Sequence, residues 1–404
     1  MTPDTEILVV GGGMAGRLCA LALSQAGFET TLLSRENEMP DPRTTALGYA
    51  SVRALRRLGV WDRLADAAQP VRDIVVAPVT PRDRFRAGAT GPVLHFGDEL
   101  LSDTERWDGT PLAHLVENAA LAAAIHAASD GLTVRTGEAR DLRADGAARV
   151  TLAGGGAITA ALVVACDGGR SRLRRGSGVR AATRDLRQDA LTLTVSHPNP
   201  HDGVARQVFP VGGPLAALPL PGGRSSLVWS TPRAAADAYE AAGPEAFCAA
   251  ATDALGDALG PLTPQTPLAR FPLRTMLAER FFADRLALVG DAAHVVHPIA
   301  GQGFNLTVAD IAALRDVLAE ARSTGLDIGH GTVLAGYDRW RRPPAVAMTT
   351  GTAALNRLLG TSERITRAAA GLGLGAVQRS EGLRTALARA AGGEAGRTPS
   401  LMTR

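Results

Sequence analysis

The chain has 404 residues, of which 46% are hydrophobic and 21% are charged, as in a globular rather than a disordered protein. This length suits two closely packed domains better than a single core. The formal net charge is only +3, and the chain has no lysine and no dense basic tract interleaved with aromatic residues. These features argue against nucleic-acid binding.

The spacing of the cysteines and the lack of long apolar runs indicate the cellular compartment of the protein. Cys19, Cys166 and Cys248 lie far apart in the chain, so they predict neither a disulfide framework nor a metal cluster. No basic-then-apolar leader precedes the first predicted strand, and no run of about 18 apolar residues could span a membrane. We therefore expect a cytoplasmic protein.

The first predicted element is a strand–turn–helix–strand unit. Ile7–Val10 and Thr30–Leu33 are short apolar runs of the kind that form buried strands. Between them, Gly11, Gly13 and Gly16 have the GxGxxG spacing. The first glycine allows a tight turn, the second lets the backbone approach a pyrophosphate, and the third lets helix and strand pack closely. In this context the motif predicts dinucleotide binding.

The end of the second strand departs from that motif. A carboxylate that binds the ribose hydroxyls is expected roughly 20 residues after the glycines. The chain has Ser34 there, followed by Arg35 and Glu36. Ser34 can exchange one hydrogen bond with a ribose, and Glu36 could reach back. Because a carboxylate would make stronger hydrogen bonds, we expect weaker adenosine binding here.

Three polar residues stand at the ends of predicted elements. Arg43 precedes a helical pattern, and Asn118 begins another that runs to about residue 128. Asp167 follows the apolar strand Leu162–Ala165 and opens the run DGGRS. An Asp at a strand end can turn the chain and bind a pyrophosphate region, but the same DG pair also serves a plain turn. The alternative for Arg43 is a solvated residue at a helix start.

The middle of the chain predicts a different kind of structure. Ala190–Val195, Arg206–Phe209, Ala216–Leu218 and Ser226–Trp229 alternate or run apolar, and turns rich in Pro and Gly separate them. This pattern is typical of an antiparallel sheet. The Ala-rich stretch Arg233–Leu259 predicts one helix after it.

The most informative stretch is residues 285–310, RLALVGDAAHVVHPIAGQGFNLTVAD. Leu286–Val289 predicts a buried parallel strand, and Asp291 stands at its carboxyl end, where open α/β sheets bind ligands. A loop rich in Gly and Pro follows, and Asn305 opens a helical pattern. Together these features predict a site for a ligand with hydroxyls and an electron-rich or anionic edge.

Two histidines in this stretch raise the question of a metal. His294 and His297 are three residues apart, but no carboxylate or cysteine stands at ligand spacing. Pro298 would also break a helix that could align them. We expect no metal and interpret them as loop histidines that shape a pocket.

The C-terminal part predicts helices separated by breaks. A helix is expected from Ala345 to Leu359, after Pro343 and Pro344, and another from about Glu363 onward. Residues from Ala391 are expected to fray. Arginines that alternate with Leu, Ile and Val suit either a packed amphipathic helix or contact with an anionic lipid surface.

The motifs resemble the flavin fingerprints of the FAD-dependent aromatic hydroxylases related to p-hydroxybenzoate hydroxylase. The wording GDAAH…HPIAGQGFN is most similar to the ubiquinone-biosynthesis hydroxylase branch. The resemblance covers nearly the whole chain and is thinnest between Arg184 and Arg270. One departure is Thr307, where the family usually has glycine, which questions how closely the last helix approaches its neighbours.

The resemblance implies roles for particular residues. Arg43 and Asn118 would contact the flavin, and Asp291 would meet its ribityl or pyrophosphate part. Asp167 would hold the pyrophosphate region. The predicted contacts with FAD are Gly11, Gly13, Met14, Ala15, Gly16, Ser34, Arg35, Arg43, Asn118, Asp167, Asp291, Pro298, Gly301, Gln302, Gly303, Phe304 and Asn305.

The expected fold is α/β (α+β) with three parts. Residues 1–183 and 271–330 would form a Rossmann-like FAD-binding domain, residues 184–270 an inserted antiparallel β-sheet substrate domain, and residues 331–404 a helical C-terminal region. A second GxGxxG for a separate nicotinamide domain is absent from the sequence, so the reductant would visit a shared site.

The resemblance implies an FAD-dependent monooxygenase that uses NADH or NADPH and O₂ to hydroxylate a phenol ring. Its substrate would be a polyprenyl-phenol intermediate of ubiquinone biosynthesis, met at the inner face of the cytoplasmic membrane or delivered by other proteins of that pathway. The alternatives are a soluble aromatic hydroxylase of a degradative or tailoring pathway and a non-catalytic flavin-binding assembly subunit. Since the cofactor carries the chemistry, no residue is predicted as a catalytic acid or base.

Overall fold

The computed structural model of the protein describes residues 3–35, 41–78, 94–97, 111–298, 301–359, 375–394 and 396–403. The strands are β1 Thr5–Val10, β2 Thr30–Ser34, β3 Thr44–Gly48, β4 Gln69–Val71, β5 Asp73–Pro78, β6 Leu94–Gly97, β7 Ala113–Glu117, β8 Thr133–Thr136, β9 Ala139–Asp145, β10 Ala147–Leu152, β11 Ala157–Ala165, β12 Ala181–Ser196, β13 Val204–Phe209, β14 Leu215–Leu220, β15 Arg224–Pro232, β16 Thr263–Pro264, β17 Ala269–Ala278, β18 Phe282–Ala283, β19 Leu286–Leu288 and β20 His294–Val295. The helices are α1 Met14–Gln25, α2 Tyr49–Arg57, α3 Asn118–Ala128, α4 Arg172–Gly176, α5 Arg233–Ala242, α6 Pro244–Leu255, α7 Gly303–Ser323, α8 Gly331–Leu359 and α9 Glu381–Gly392.

The first sheet brings three distant strand ends to one edge. Its strand order is β18-β19-β11-β1-β2-β8, and β1, β2, β8, β11 and β19 run parallel. Ala165 pairs with Val10 on one side and with Leu288 on the other, so these three strands end level with one another. Their apolar side chains are buried and pack with α1 and α7 in the main core. The turns that follow the three strands therefore lie side by side.

The second sheet has nine strands and crosses the predicted limits of the inserted domain. Its order is β20-β17-β12-β15-β14-β13-β5-β6, with β16 beside β12. The pairs are antiparallel except for β5 with β13, which is parallel. The four predicted strands are present, and β5, β6, β17 and β20 join them from outside or across residues 184–270. The division into domains at residues 183 and 270 stays a prediction.

A third, small sheet lies between the other two. It consists of β3, β7 and β4 in antiparallel pairing. Strand β3 packs against α7, while β4 and β7 contact β14 of the second sheet. The Thr44 hydroxyl also donates to the Ser226 hydroxyl over 3.2 Å. This sheet therefore links α7 to the second sheet.

The prediction of one helix from Arg233 to Leu259 was wrong. The structure has two helices, α5 and α6, which meet at Gly243 and Pro244. Gly243 adopts φ +89°, which glycine reaches without a Cβ penalty, and Pro244 then starts the next helix at a position that needs no backbone donor. The two helices can thus cover one face of the second sheet, where Trp229 packs against Phe247.

The expected break at Pro343 and Pro344 was also wrong, because α8 continues through both prolines. Tertiary contacts hold the helix on each side of them. The buried Tyr337 donates its hydroxyl to the Leu288 carbonyl over 2.9 Å, and Ala345 is fully buried. These contacts outweigh the hydrogen bonds that two prolines remove. The predicted helix after Glu363 lies partly outside the described residues, which omit 360–374.

The chain does not fray after Ala391, contrary to expectation. Leu401 and Met402 are buried, and Glu394 bridges the Arg53 guanidinium (2.6 Å) and the Tyr49 hydroxyl (3.0 Å) of α2. A Cβ on Gly392 would overlap the Tyr49 ring, so the tail lies directly on this helix. A buried ion pair and apolar burial order a segment whose composition resembles that of a loose terminus.

We predict that Glu394→Ala lowers the free energy of unfolding by roughly 2–3 kcal/mol, because Arg53 would lose its carboxylate partner inside the protein. Urea denaturation measures the loss. Glu138→Ala is the matched control, since Glu138 pairs with Arg172 on the surface and its loss should cost less than about 1 kcal/mol. Equal losses for the two variants would show that the Glu394–Arg53 ion pair stabilises the fold no more than a surface ion pair does.

Candidate active site

The glycine turn after β1 is built for close approach of a ligand to the backbone. Gly11 adopts φ +122°, and a Cβ on Gly16 would overlap the Gly11 carbonyl oxygen. Gly13, in contrast, is exposed, and a Cβ there would have no neighbouring atom within 4 Å. Met14 and Ala15 follow as the first residues of α1. The turn thus leaves open space over Gly13 at a helix N-terminus, where anions bind favourably.

The turn after β11 offers a carboxylate oxygen. Asp167 Oδ2 accepts a hydrogen bond from the Arg172 amide over 2.9 Å. Its other oxygen, Oδ1, is buried and has no partner within the part of the chain that the structure describes. A buried acceptor without a partner is costly, so Oδ1 is suited to a donor from a ligand.

Arg174 joins this turn to the next one. Its guanidinium donates to the Gly169 carbonyl (3.1 Å) and to the Ala292 carbonyl (2.8 Å). The side chain is buried, and burial lowers its pKa, while the charge of Asp167 opposes that shift. Arg174 therefore fixes the distance between the turns that carry Asp167 and Asp291.

Asp291 lies at the carboxyl end of the strand, as predicted. Part of its surface is open to solvent, but many protein atoms lie around the carboxyl group. The resulting loss of hydration raises the pKa of this group. Electrostatic interactions with His294, Arg43 and Arg274 act in the opposite direction. A carboxylate in a cleft with cationic neighbours is a strong acceptor for ligand hydroxyls.

Helix α7 begins at Gly303, two residues earlier than predicted, and Asn305 fixes its start. Asn305 Oδ1 accepts from the Gly48 amide (3.0 Å), and its Nδ2 donates to the Ala46 carbonyl (2.7 Å). A Cβ on Gly301 would stand 3.0 Å from that of Ala46, so this loop lies tightly on β3. The Asn305 side chain therefore serves the join between α7 and the third sheet.

Thr307, which stands where the family usually has glycine, does not keep α7 away from the turn that carries Asp291. A Cβ on Gly290 would be 2.9 Å from the Thr307 side chain, so a glycine across the contact makes room for the larger residue. The Thr307 hydroxyl donates to the Gly303 carbonyl of its own helix over 3.1 Å. Gln302 and Phe304, at this helix start, are half-buried, while Pro298 is exposed.

Arg43 is held above the site by a small polar cluster. Asp41 accepts two hydrogen bonds from the Arg43 guanidinium (2.8 and 2.7 Å), which lies 5.1 Å from the Phe271 ring centre. Asn118 donates to Asp41 over 2.8 Å and accepts from the Thr45 hydroxyl over 2.6 Å. Asn118 is buried, so the structure makes it a support for Asp41; its contact with a cofactor stays a prediction.

Ser34 is buried at the end of β2, and its hydroxyl donates to the Arg35 carbonyl over 3.0 Å. That bond uses its only donor, and the oxygen can still accept one. Arg35 is exposed, while Glu36 lies outside the described residues. Ser34 thus stands where the ribose acid was expected, and its contact with a cofactor remains a prediction.

The sequence did not predict a cationic cavity beside Asp167. It has a volume of about 410 Å³, and its lining includes Arg170, Arg174, Arg175, Arg180 and Arg274. The run RSRLRR at residues 170–175 was the available signal, but Arg180 and Arg274 come from other elements. Several guanidinium groups around one cavity favour the binding of phosphate groups.

The two histidines lie inside the protein. His294 Nε2 bonds Asp310 Oδ2 over 2.5 Å, and Arg341 donates to the other oxygen of Asp310. His297 is buried, which lowers its pKa to about 4. Within the residues that the structure describes, no group of three His, Cys, Asp or Glu could hold a metal ion. Asp310 and Arg341 were not predicted.

Comparison with known proteins explains this arrangement. The family model of the FAD binding domain matches residues 4–352. Ubiquinone hydroxylase UbiL of Rhodospirillum rubrum is 36% identical over 388 residues, or 93% of this chain and 86% of that protein. The 3-demethoxyubiquinol 3-hydroxylase of Escherichia coli is 34% identical over 86% of this chain and 88% of that protein.

This chain belongs to the FAD-binding hydroxylase family. The fold is also that of p-nitrophenol 4-monooxygenase PnpA from Pseudomonas putida, with a TM-score of 0.79 and 20% identity over 98% of this chain and 100% of that one. The expected fold class is confirmed, and the protein is an FAD-dependent monooxygenase.

The residues present fit FAD. A pyrophosphate needs an open glycine turn at a helix N-terminus, which Gly13 and α1 supply. Ribityl or ribose hydroxyls need acceptors, and Asp167 Oδ1 and Asp291 are available. The assignment of individual residues to parts of FAD follows from this fit and stays a prediction.

We predict that Asp291→Ala weakens FAD retention while the fold persists. The loss of a charge-assisted hydrogen bond costs roughly 1.5–3 kcal/mol, or about tenfold to over a hundredfold in affinity. Equilibrium dialysis of the reconstituted protein measures the change. The matched control is Asp284→Ala, an exposed acid before the other end of β19. Unchanged affinity in Asp291→Ala would place this carboxylate outside the FAD site.

Proposed function

We propose that the protein hydroxylates the phenol ring of a polyprenylated intermediate of ubiquinone biosynthesis, with NADH or NADPH as reductant. The proposal requires FAD, and the observation that carries FAD binding is the level ending of β1, β11 and β19, which gathers the open Gly13 turn, Asp167 and Asp291 at one edge. The high coverage of two relatives, one named ubiquinone hydroxylase and the other 3-demethoxyubiquinol 3-hydroxylase, supports the substrate class.

When bound, FAD would supply the chemistry, which is the activation of O₂ for transfer of one oxygen atom to an electron-rich ring. The chain's residues bind and orient. Asp291 accepts hydroxyls, the N-terminus of α7 favours negative charge, and Arg43 and Arg274 add positive charge near Asp291. Phe271 of the second sheet provides an apolar surface beside Arg43.

The reductant needs a place for its phosphates, and the arginine cavity described above supports one. It borders the Asp167 turn through Gly169 and Arg170, and it includes Arg274, whose charge acts on Asp291. A phosphate-bearing reductant bound there would lie next to the FAD site. We therefore propose that this cavity admits NADH or NADPH.

Reductant oxidation tests the activity. Purified protein loaded with FAD should oxidise NADH or NADPH faster when a prenylated phenol is present, and the product should contain one oxygen atom from ¹⁸O₂. Arg175→Ala should raise the KM for the reductant several-fold, whereas Arg172→Ala, a surface arginine paired with Glu138, should not.

Two alternatives predict different results in that assay. A soluble aromatic hydroxylase would turn over short phenols at least as well as prenylated ones. A non-catalytic flavin-binding subunit would hold FAD and show no phenol-dependent oxidation with any ring. Either result would replace the proposed substrate or the proposed activity.

A polyprenyl substrate also implies contact with a lipid surface, and exposed leucines near the end of the chain support it. Leu355 and Leu358 lie on α8, and Leu383 and Leu387 lie on α9, with exposed fractions between 37% and 46%. Arg357 is exposed beside the first pair. No helix among the described residues is long and apolar enough to cross a membrane. We propose that the exposed leucines of α8 and α9 form the surface through which the protein binds peripherally to an anionic membrane.

Flotation with anionic liposomes tests this contact. Full-length protein should float at low salt and less at high salt, since attraction to anionic lipid is worth about 1 kcal/mol per Arg and is screened. Leu383→Ser with Leu387→Ser should reduce flotation. The control Leu326→Ser removes a leucine that is 58% exposed elsewhere and should change nothing. Equal flotation of all variants would contradict the proposed surface.

A further inference from the structure

A buried ion cluster lies behind the turn that carries Asp291. Asp310 of α7, His294 of β20 and Arg341 of α8 come from three elements and are almost completely inaccessible, with exposed fractions of 0%, 1% and 4%. Asp310 Oδ2 is 2.5 Å from His294 Nε2, and Arg341 Nε donates to Asp310 Oδ1 over 2.8 Å. None of these side chains reaches the surface of the cleft.

The Asp310 carboxylate holds both ends of the turn. Its Oδ2 also accepts from the Gly290 amide over 3.3 Å, so one oxygen bonds the residue before Asp291 and the histidine three residues after it. Gly290 adopts φ +61°, and its carbonyl accepts from the Ala293 amide over 2.8 Å. The turn thus has an internal backbone hydrogen bond, and Asp310 of α7 bonds it at Gly290 and at His294.

Charge compensation keeps Asp310 in this role. Burial would raise the pKa of its carboxyl group, but the interactions with His294 and Arg341 bring that pKa below its usual value. The group is therefore an ionised acceptor, which suits the donors around it. Arg341 in turn depends on α8, which is fixed nearby by the bond from Tyr337 to the Leu288 carbonyl.

We infer that Asp310 is a positioning residue for the Asp291 carboxylate and that Arg341 holds Asp310 in place. FAD retention then depends on two side chains that do not line the cleft. The inference rests on the proposed contact between Asp291 and FAD, and it adds α7 and α8 to the parts of the molecule that set flavin affinity.

The experiment compares two identical substitutions on one helix. Asp310→Asn should speed the release of FAD from the purified holoenzyme about tenfold or more and change the visible circular dichroism of the bound flavin, because the amide cannot accept from all three donors. Asp316→Asn is the control. Asp316 accepts hydrogen bonds from Ser400 at the far side of α7, so its loss should affect thermal stability but neither FAD release nor the spectrum.

A second pair covers the case in which Asp310→Asn does not fold. Arg341→Met should speed FAD release in the same direction, and Arg341→Lys should restore part of the retention, since it keeps the charge without the guanidinium geometry. Wild-type release and spectrum in both Asp310→Asn and Arg341→Met, despite lower melting temperatures, would overturn the inference and leave the cluster a purely structural one.

Asp291→Ala is measured in parallel to separate the two ideas. If Asp291→Ala releases FAD quickly but Asp310→Asn does not, the proposed contact stands and the positioning role fails. If Asp291→Ala retains FAD like the wild-type holoenzyme, the contact itself fails, and the positioning role fails with it.

Discussion

The parallel register of β1, β11 and β19 is the constraint on which the site depends. Ala165 pairs with both Val10 and Leu288, so three strands from distant parts of the chain end at one level. Backbone hydrogen bonding, which every buried strand must satisfy, sets this register to within one residue. A shift by one residue would reverse the faces of β11 and separate the Asp167 turn from its neighbours.

Several charged side chains around that edge have polar partners inside the protein. Asp41 partners Arg43, Arg174 bonds two carbonyl oxygens, and Asp310 is ionised between His294 and Arg341. Buried charges require such partners, because an uncompensated one would cost several kcal/mol. The same requirement ties the cleft to helices that lie behind it.

At two contacts between elements, a glycine on one side leaves room for a larger side chain on the other. Gly290 makes room for Thr307, and Gly392 lets the C-terminal tail lie against the Tyr49 ring. These pairs explain why a helix with threonine at position 307 still approaches the Asp291 turn. They also explain how the last residues, small and polar in composition, pack as part of the core through Leu401 and Met402.

The sequence by itself determined the elements whose signals are local. The GxGxxG turn, the DG and GD strand ends and the alternating strands of the middle segment could be predicted, because turn chemistry and apolar periodicity act over a few residues. The family resemblance added the expectation of FAD and of a hydroxylation reaction.

The tertiary structure decided the features that depend on partners far along the chain. It split the Arg233–Leu259 stretch at Gly243, carried α8 through Pro343 and Pro344, and bound the tail to α2. It also brought Arg274 beside Asp167 and Asp310 behind Asp291, since no local pattern specifies which buried charges will meet.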